Sequence, residues 1–115
     1  MVTVHTLVSP DVIRQLSGVV LVANMSNNDY DFSERAAILA NQHIHHVVGF
    51  VTQRRIHNAH HSLVCITPGI SLMKQNIDDQ QYRKSEDVDT DIKIVGRAIY
   101  TSNHVLEDVQ KLLKN

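Results

Sequence analysis

The sequence has a single cysteine, Cys65, so no intramolecular disulfide can staple the fold, and a reducing compartment suits it. Cys65 lies in the apolar run Leu63–Ile66 and reads as a buried structural thiol. Glycine and proline are scarce, at four and two residues, and nothing is low in complexity or compositionally disordered. Neither charge sign dominates: 11 Lys and Arg stand against 12 Asp and Glu, a formal net charge of −1. That balance gives no basic stripe for nucleic acid or a membrane surface, although it does not exclude a local anion pocket. No apolar run approaches the roughly 18 residues of a membrane-spanning helix. Residues 1–10 lack the basic-then-apolar pattern of a secretory leader, so a cytoplasmic setting is expected and the sequon at Asn24-Met25-Ser26 carries no weight.

What is present is one domain's worth of alternating pattern in 115 residues, 43% of them hydrophobic. Five short apolar runs, Val2–Val8, Val19–Ala23, Val47–Val51, Leu63–Ile66 and Ile92–Val95, have strand length and are mostly β-branched. Residues 19–23 are apolar at every position, as in a parallel strand buried on both faces. Between the runs lie helical stretches. Ser9 offers an N-cap to a helix with Pro10 in its first turn, and residues 33–40 combine Ala and Leu at helical spacing. Ser102 offers a cap to a last helix with Val105, Leu106, Val109, Leu112 and Leu113 on one face. A weaker helical turn falls at Ser85–Val88, and the His-rich connection from Phe50 to Leu63 shows none. Strand and helix in alternation predict an α/β fold with a parallel sheet, and at this level a doubly wound sheet and part of a barrel are equally open.

Two loops carry candidate chemistry. Thr67-Pro68-Gly69 is a sharp turn leading towards Gln80-Gln81-Tyr82, and Gly96-Arg97 follows the fifth run. A glycine lets backbone N–H groups approach an anion, an arginine supplies a cationic fork, and a helix start beyond adds a favourable dipole. In barrel enzymes the loops after the last two strands commonly hold a phosphate. Eight histidines, with groupings at His43, His45, His46 and at His57, His60, His61, lack the spacing of a zinc site, so no metal or other cofactor is expected. Asp29, Asp31 and Glu34 read as a solvated face, with Glu34 favouring a helix start.

Five ordered motifs together resemble orotidine 5′-phosphate decarboxylase, in particular the decarboxylase domain of UMP synthase. They are VVLVANMS at 19–26, VVGFVT at 47–52, TPGI at 67–70, QQY at 80–82 and DIKIVGRAI at 91–99. The resemblance covers nearly the whole chain and implies part of a (β/α)8 barrel, with five strands resembling strands four to eight. It also implies the family's reaction, OMP to UMP plus CO2, in pyrimidine biosynthesis. By the same resemblance Ser26 would hydrogen-bond the pyrimidine ring and Pro68 would line the pocket. Gln80 and Tyr82 would close over the phosphate, Gln80 also reaching the base, and Gly96 with Arg97 would clamp the phosphate.

Departures from the family are as informative. Its alternating Lys and Asp network, which follows the third strand, has no counterpart in residues 1–115, so this chain alone is expected to lack decarboxylation. Asn24 stands where the family has an acid, Asp78-Asp79 precede QQY, and the connection at 86–91 is short. Counting back from Arg97 by strand alternation, Lys93 and Val95 would point into the barrel, an expensive place for an ammonium group. Three accounts of so short a chain remain: part of a longer enzyme, a truncated relative that keeps nucleotide-phosphate binding, or a partner-binding remnant. Met1 fits a separately encoded protein. The expected partners are OMP or UMP and either a second copy or a complementary N-terminal half-barrel, with no nucleic acid or membrane.

Overall fold

A computed structural model describes residues 1–25, 30–72, 75–77 and 80–113, and of residues 75–77, 80 and 81 it describes the backbone. Ser26, Asp29, Asp78 and Asp79 therefore lie outside the described residues. In chain order the elements are β1 (Val2–His5), α1 (Pro10–Arg14), β2 (Val19–Val22), α2 (Ser33–Gln42), β3 (Val47–Val51), β4 (Val64–Thr67), β5 (Ile70–Ser71), β6 (Gln75–Ile77), β7 (Gln80–Lys84), a 3-10 turn (Ser85–Asp87), β8 (Ile92–Lys93), α3 (Arg97–Tyr100) and α4 (Val105–Leu113).

All five apolar runs form strands, and they assemble into one sheet in the order β1-β2-β3-β4-β8, every neighbouring pair parallel. That order resolves the alternatives left by the sequence pattern. A doubly wound sheet reverses its strand order at a switch point, whereas here each new strand of the main sheet adds to the same edge, as around a barrel. The fold is α/β, and the sheet is part of a (β/α)8 barrel.

Register assigns the two faces. Val4, Leu21, Phe50 and Cys65 lie side by side on one face. Leu21, Phe50 and Cys65 join Ile13 of α1 and Ala36, Ala37, Leu39 and Ala40 of α2 in the main core. The opposite face carries His5, Val22, Val51, Ile66 and Ile92 in one row. This second face is the barrel interior, and it is incompletely covered: Ile66 is buried, Val22 and Val51 are half-buried, and Ile92 is 46% exposed. The radius of gyration is 15.1 Å, against roughly 13 Å for a compact domain of this length.

Lys93 is a correction to the sequence reading. It pairs with Thr67, on the same face as Cys65, so it points to the helix side and not into the barrel. Alternation fails because the extended strand ends before Arg97: Gly96 adopts φ −119° and ψ −80° and Arg97 is already helical. The Lys93 ammonium donates to the Ser85 carbonyl at 2.6 Å and to Ser85 Oγ at 2.9 Å, beside a hollow that Leu112 and Leu113 of α4 help to line.

Ser9 caps α1 as expected, accepting from the Asp11 amide at 3.4 Å. The start of α2 is held from outside, the Asp31 carboxylate accepting from the Ser33 amide at 2.9 Å. The expected last helix is α4, and the single turn α3 precedes it. Ser102 accepts from the His104 amide at 2.9 Å and donates to the Asp108 carboxylate.

Gly49 shows how closely β3 and β4 approach. A Cβ there would sit 2.3 Å from the Val64 carbonyl oxygen and 2.7 Å from its Cγ2. Gly49→Ala must therefore push a central strand pair apart, and a loss of about 1–3 kcal/mol or more is expected in urea unfolding. An unchanged midpoint would show that the strands are not packed this closely.

Candidate functional site

The C-terminal ends of the strands are tied by a seam of polar links. At the end of β2, Asn24 is 7% exposed. Its Nδ2 donates to Ser33 Oγ at 2.7 Å and to Thr52 Oγ1 at 3.1 Å, while its Oδ1 accepts from the Gln53 amide at 2.5 Å. From β4, Thr67 Oγ1 donates to the Thr52 carbonyl at 2.6 Å, and the Ile94 amide beyond β8 donates to the Thr67 carbonyl at 2.9 Å. Each strand end thus fixes the next.

Onto this seam the chain between β4 and β8 lays a second, three-stranded sheet in the order β5-β7-β6. β6 and β7 form an antiparallel hairpin, and β7 runs parallel to β5, with Ile70 opposite Arg83 and Ser71 opposite Lys84. Gly69 makes the approach possible. With φ 75° it occupies the left-handed region that glycine tolerates, and its carbonyl accepts from the Arg83 amide at 2.9 Å. The Ile70 amide donates to the Ile94 carbonyl at 3.3 Å. Segments 67–71, 82–84 and 94–97 are thereby gathered at one end of the main sheet.

The sequence-derived candidates occupy these segments. Pro68 follows β4 and is partly exposed, Gln80 opens β7 with its backbone opposite Ile77, and Tyr82 is buried at 7% exposure. Gly96 precedes α3, and a Cβ there would meet nothing within 4 Å, so packing does not require the glycine. Arg97 is the first residue of α3 and is half-buried. α3 is a single turn and contributes little dipole beside Arg97, while the expected capped helix, α4, starts farther on at Val105. Ser26 lies outside the described residues.

Two neighbours, Arg83 and Gln53, are not singled out by the sequence, and a third, Asp31, is there part of a solvated face. Arg83 is half-buried and donates through Nη2 to the Gln53 carbonyl, and burial pushes its pKa below the usual guanidinium range. Gln53 Nε2 is buried with no hydrogen-bond partner among the described residues. Asp31, at the rim, accepts from Ser33 Oγ and from Arg54. The Ser33 hydroxyl and amide and the Arg54 guanidinium hold its pKa down at about 2, against the opposing effect of burial. The signal for Asp31 was its place two residues before a helix start; Arg83 and Gln53 give no pattern at all.

Four of the grouped histidines make local contacts. His46 Nδ1 lies 2.8 Å from the Leu16 carbonyl, His43 ends α2, and the rings of His60 and His61 stack at 4.3 Å. Among the described residues no group of three or more His, Cys, Asp or Glu is arranged to hold a metal ion. Cys65 is buried, and desolvation raises its pKa.

Sequential parallel strands with a loop sheet folded over their C-terminal ends define part of a β/α barrel. The chain belongs to the orotidine 5′-phosphate decarboxylase / HUMPS family, whose model matches residues 1–112. It is also similar to the uridine 5′-monophosphate synthase of Caenorhabditis elegans, 30% identical over a 132-residue alignment that covers 96% of this chain. The chain spans about a quarter of the length of that relative, 26%. No helix among the described residues is long and apolar enough to cross a membrane.

Asn24 shows why an amide suits this position in this chain. The Ser33 hydroxyl donates to Asp31 and the Thr52 hydroxyl donates to the Arg54 carbonyl at 2.7 Å, so both present lone pairs to Asn24. A carboxylate would set oxygen against oxygen in a buried place. Asn24→Asp is expected to lose about 1–3 kcal/mol at neutral pH. Its new carboxyl would have a raised folded pKa, so the deficit should shrink as pH falls towards the unfolded value of about 3.9. Asp31 acts in the other direction and lower window: its depressed pKa stabilises above about 3.8 and that contribution fades towards pH 2. Paired urea melts of both proteins across this range check it, and a pH-independent difference would contradict the hydrogen-bond assignment.

Proposed function

We propose that this chain is the nucleotide-phosphate-holding part of an orotidine 5′-phosphate decarboxylase in a cytoplasmic setting, binding OMP or UMP without itself performing the decarboxylation. The observation that carries the reading is the convergence of the Pro68–Gly69, Tyr82–Arg83 and Ile94–Arg97 segments at the C-terminal end of the sheet. In barrel enzymes that end bears the site, and the loops after the last strands commonly hold phosphate. Arg97 would supply the fixed positive charge, the Gly96 backbone would allow close approach, and Gln80 and Tyr82 would close from the hairpin. Pro68 and Ser26 would meet the base.

Decarboxylation requires charges placed at the reacting carbon, to repel the departing carboxylate and to protonate the carbanion it leaves. Residues 1–115 contain no alternating Lys and Asp motif to do so. That network would come from a complementary N-terminal half-barrel, covering the row of Val22, Val51 and Ile92 and extending the sheet beyond β1 or β8.

Titration of UMP against the chain tests the binding claim. Arg97→Ala should weaken UMP by about 1.5–3 kcal/mol, the value of a charge-assisted phosphate contact. Equal binding by both proteins would exclude the clamp. For the open face, the chain alone should bind a hydrophobic dye and elute with concentration-dependent size. Adding a family N-terminal half-barrel should remove the dye signal and bring OMP decarboxylation. A compact monomer without dye binding would contradict this.

A further inference from the structure

Arg83 lies one residue beyond Tyr82 and plays no part in the motif resemblance. Its Nη2 donates to the Gln53 carbonyl oxygen and stands 3.4 Å from Gln53 Oε1, two oxygens of one residue at the end of β3. Its own amide is bound to the Gly69 carbonyl at 2.9 Å. Gln53 in turn is anchored by its amide to Asn24 Oδ1 at 2.5 Å. A single chain of contacts therefore runs from the end of β2, through the end of β3, to the hairpin that lies on the end of β4.

The energetics argue that this contact has a purpose. Among the described residues no carboxylate lies within ion-pair distance of Arg83, and Asp87 acts on it only from farther away. A half-buried guanidinium with no acid partner among the described residues is desolvated at a cost, which neutral carbonyl oxygens offset only in part. The hairpin needs such an anchor. β6 has three residues and β7 pairs with only two of β5, and a short hairpin alone is marginal in water.

We propose that Arg83 is a positioning residue, a clasp on the Gln53 carbonyl that holds β7, and with it Gln80 and Tyr82, over the phosphate end of the site. The claim rests on the proposed phosphate-gripping role of that pair. One nitrogen, Nη2, faces both oxygens of Gln53, and lysine, which keeps a cationic donor on a differently shaped stem, would replace it in part.

Three versions of the chain, wild type, Arg83→Lys and Arg83→Met, are compared in two measurements. The first is amide hydrogen exchange at Tyr82 and Arg83 without nucleotide. The second is the ratio of UMP to uridine affinity, with Gly49 and Phe50 amide protection as the folding control. Arg83→Met should deprotect the hairpin while sparing Gly49 and Phe50, and should lower the UMP-to-uridine ratio about 10-fold or more, the scale of a lost charge-assisted bond. Arg83→Lys should recover part of both. A wild-type ratio retained by Arg83→Met overturns the proposal. If wild type itself fails to bind UMP, the nucleotide reading falls, and the clasp is judged on exchange: deprotection restored by lysine supports it, and unchanged protection overturns it.

Discussion

The pairing of β4 with β8 is the contact on which the rest of the site depends. It closes the long excursion of residues 68–91 and sets Gly96-Arg97 beside Pro68-Gly69. The ladder is short, with Ile66 opposite Ile92 and Thr67 opposite Lys93. Side chains therefore extend it on the N-terminal side. Thr90 Oγ1 donates to the Cys65 carbonyl at 2.7 Å, and Asp91 accepts from the Cys65 amide at 2.8 Å while its own amide returns to the Cys65 carbonyl at 3.0 Å. Asp91 also accepts from Arg55 at 2.9 Å, and Arg55 reaches Asp89 at 3.1 Å. The Cys65 amide first and the Arg55 guanidinium second hold the Asp91 pKa low, so it remains a carboxylate able to make these bonds.

From that junction the architecture of the mouth follows. Fixing β8 beside β4 lets the Ile94 carbonyl receive β5, β5 receives β7, and the clasp from Arg83 to Gln53 returns the hairpin to β3. The loop sheet is thus bounded on both sides by strand ends. The same sequential order leaves the barrel's interior face partly uncovered, since five strands fall short of the eight that close such a barrel. A polar, hydrogen-bonded mouth and an unfinished apolar interior belong to one geometry.

Much of this was legible in the sequence because local and global preferences agree. Val19–Val22 and Val47–Val51 are mostly β-branched runs with no competing period, and residues 33–40, helical by pattern, lie within α2 (Ser33–Gln42). The loop sheet was not legible: β7 is Gln-Gln-Tyr-Arg-Lys, polar and without alternation, and it is a strand because Gly69 and Ile70 offer it an edge. The face of Lys93 was misread because parity cannot be carried through Gly96, where the backbone leaves the extended region. The candidate site was legible as motifs, Thr67-Pro68-Gly69, Gln80-Gln81-Tyr82 and Gly96-Arg97. What joins them was not, because an arginine bonded to a carbonyl leaves no trace in spacing, and Arg83 looks like any surface charge.

On the proposed reading, one nucleotide phosphate is met at the C-terminal ends of β4 and β8. Amide chemical-shift mapping of the isotope-labelled chain during UMP titration tests it most directly. Saturable shifts are expected at Gly96, Arg97 and residues 80–83, with Val2, Val19 and Val47 at the opposite strand ends unmoved. Shifts concentrated at those opposite ends, or along the helix face around Ile13 and Ala36, would contradict it.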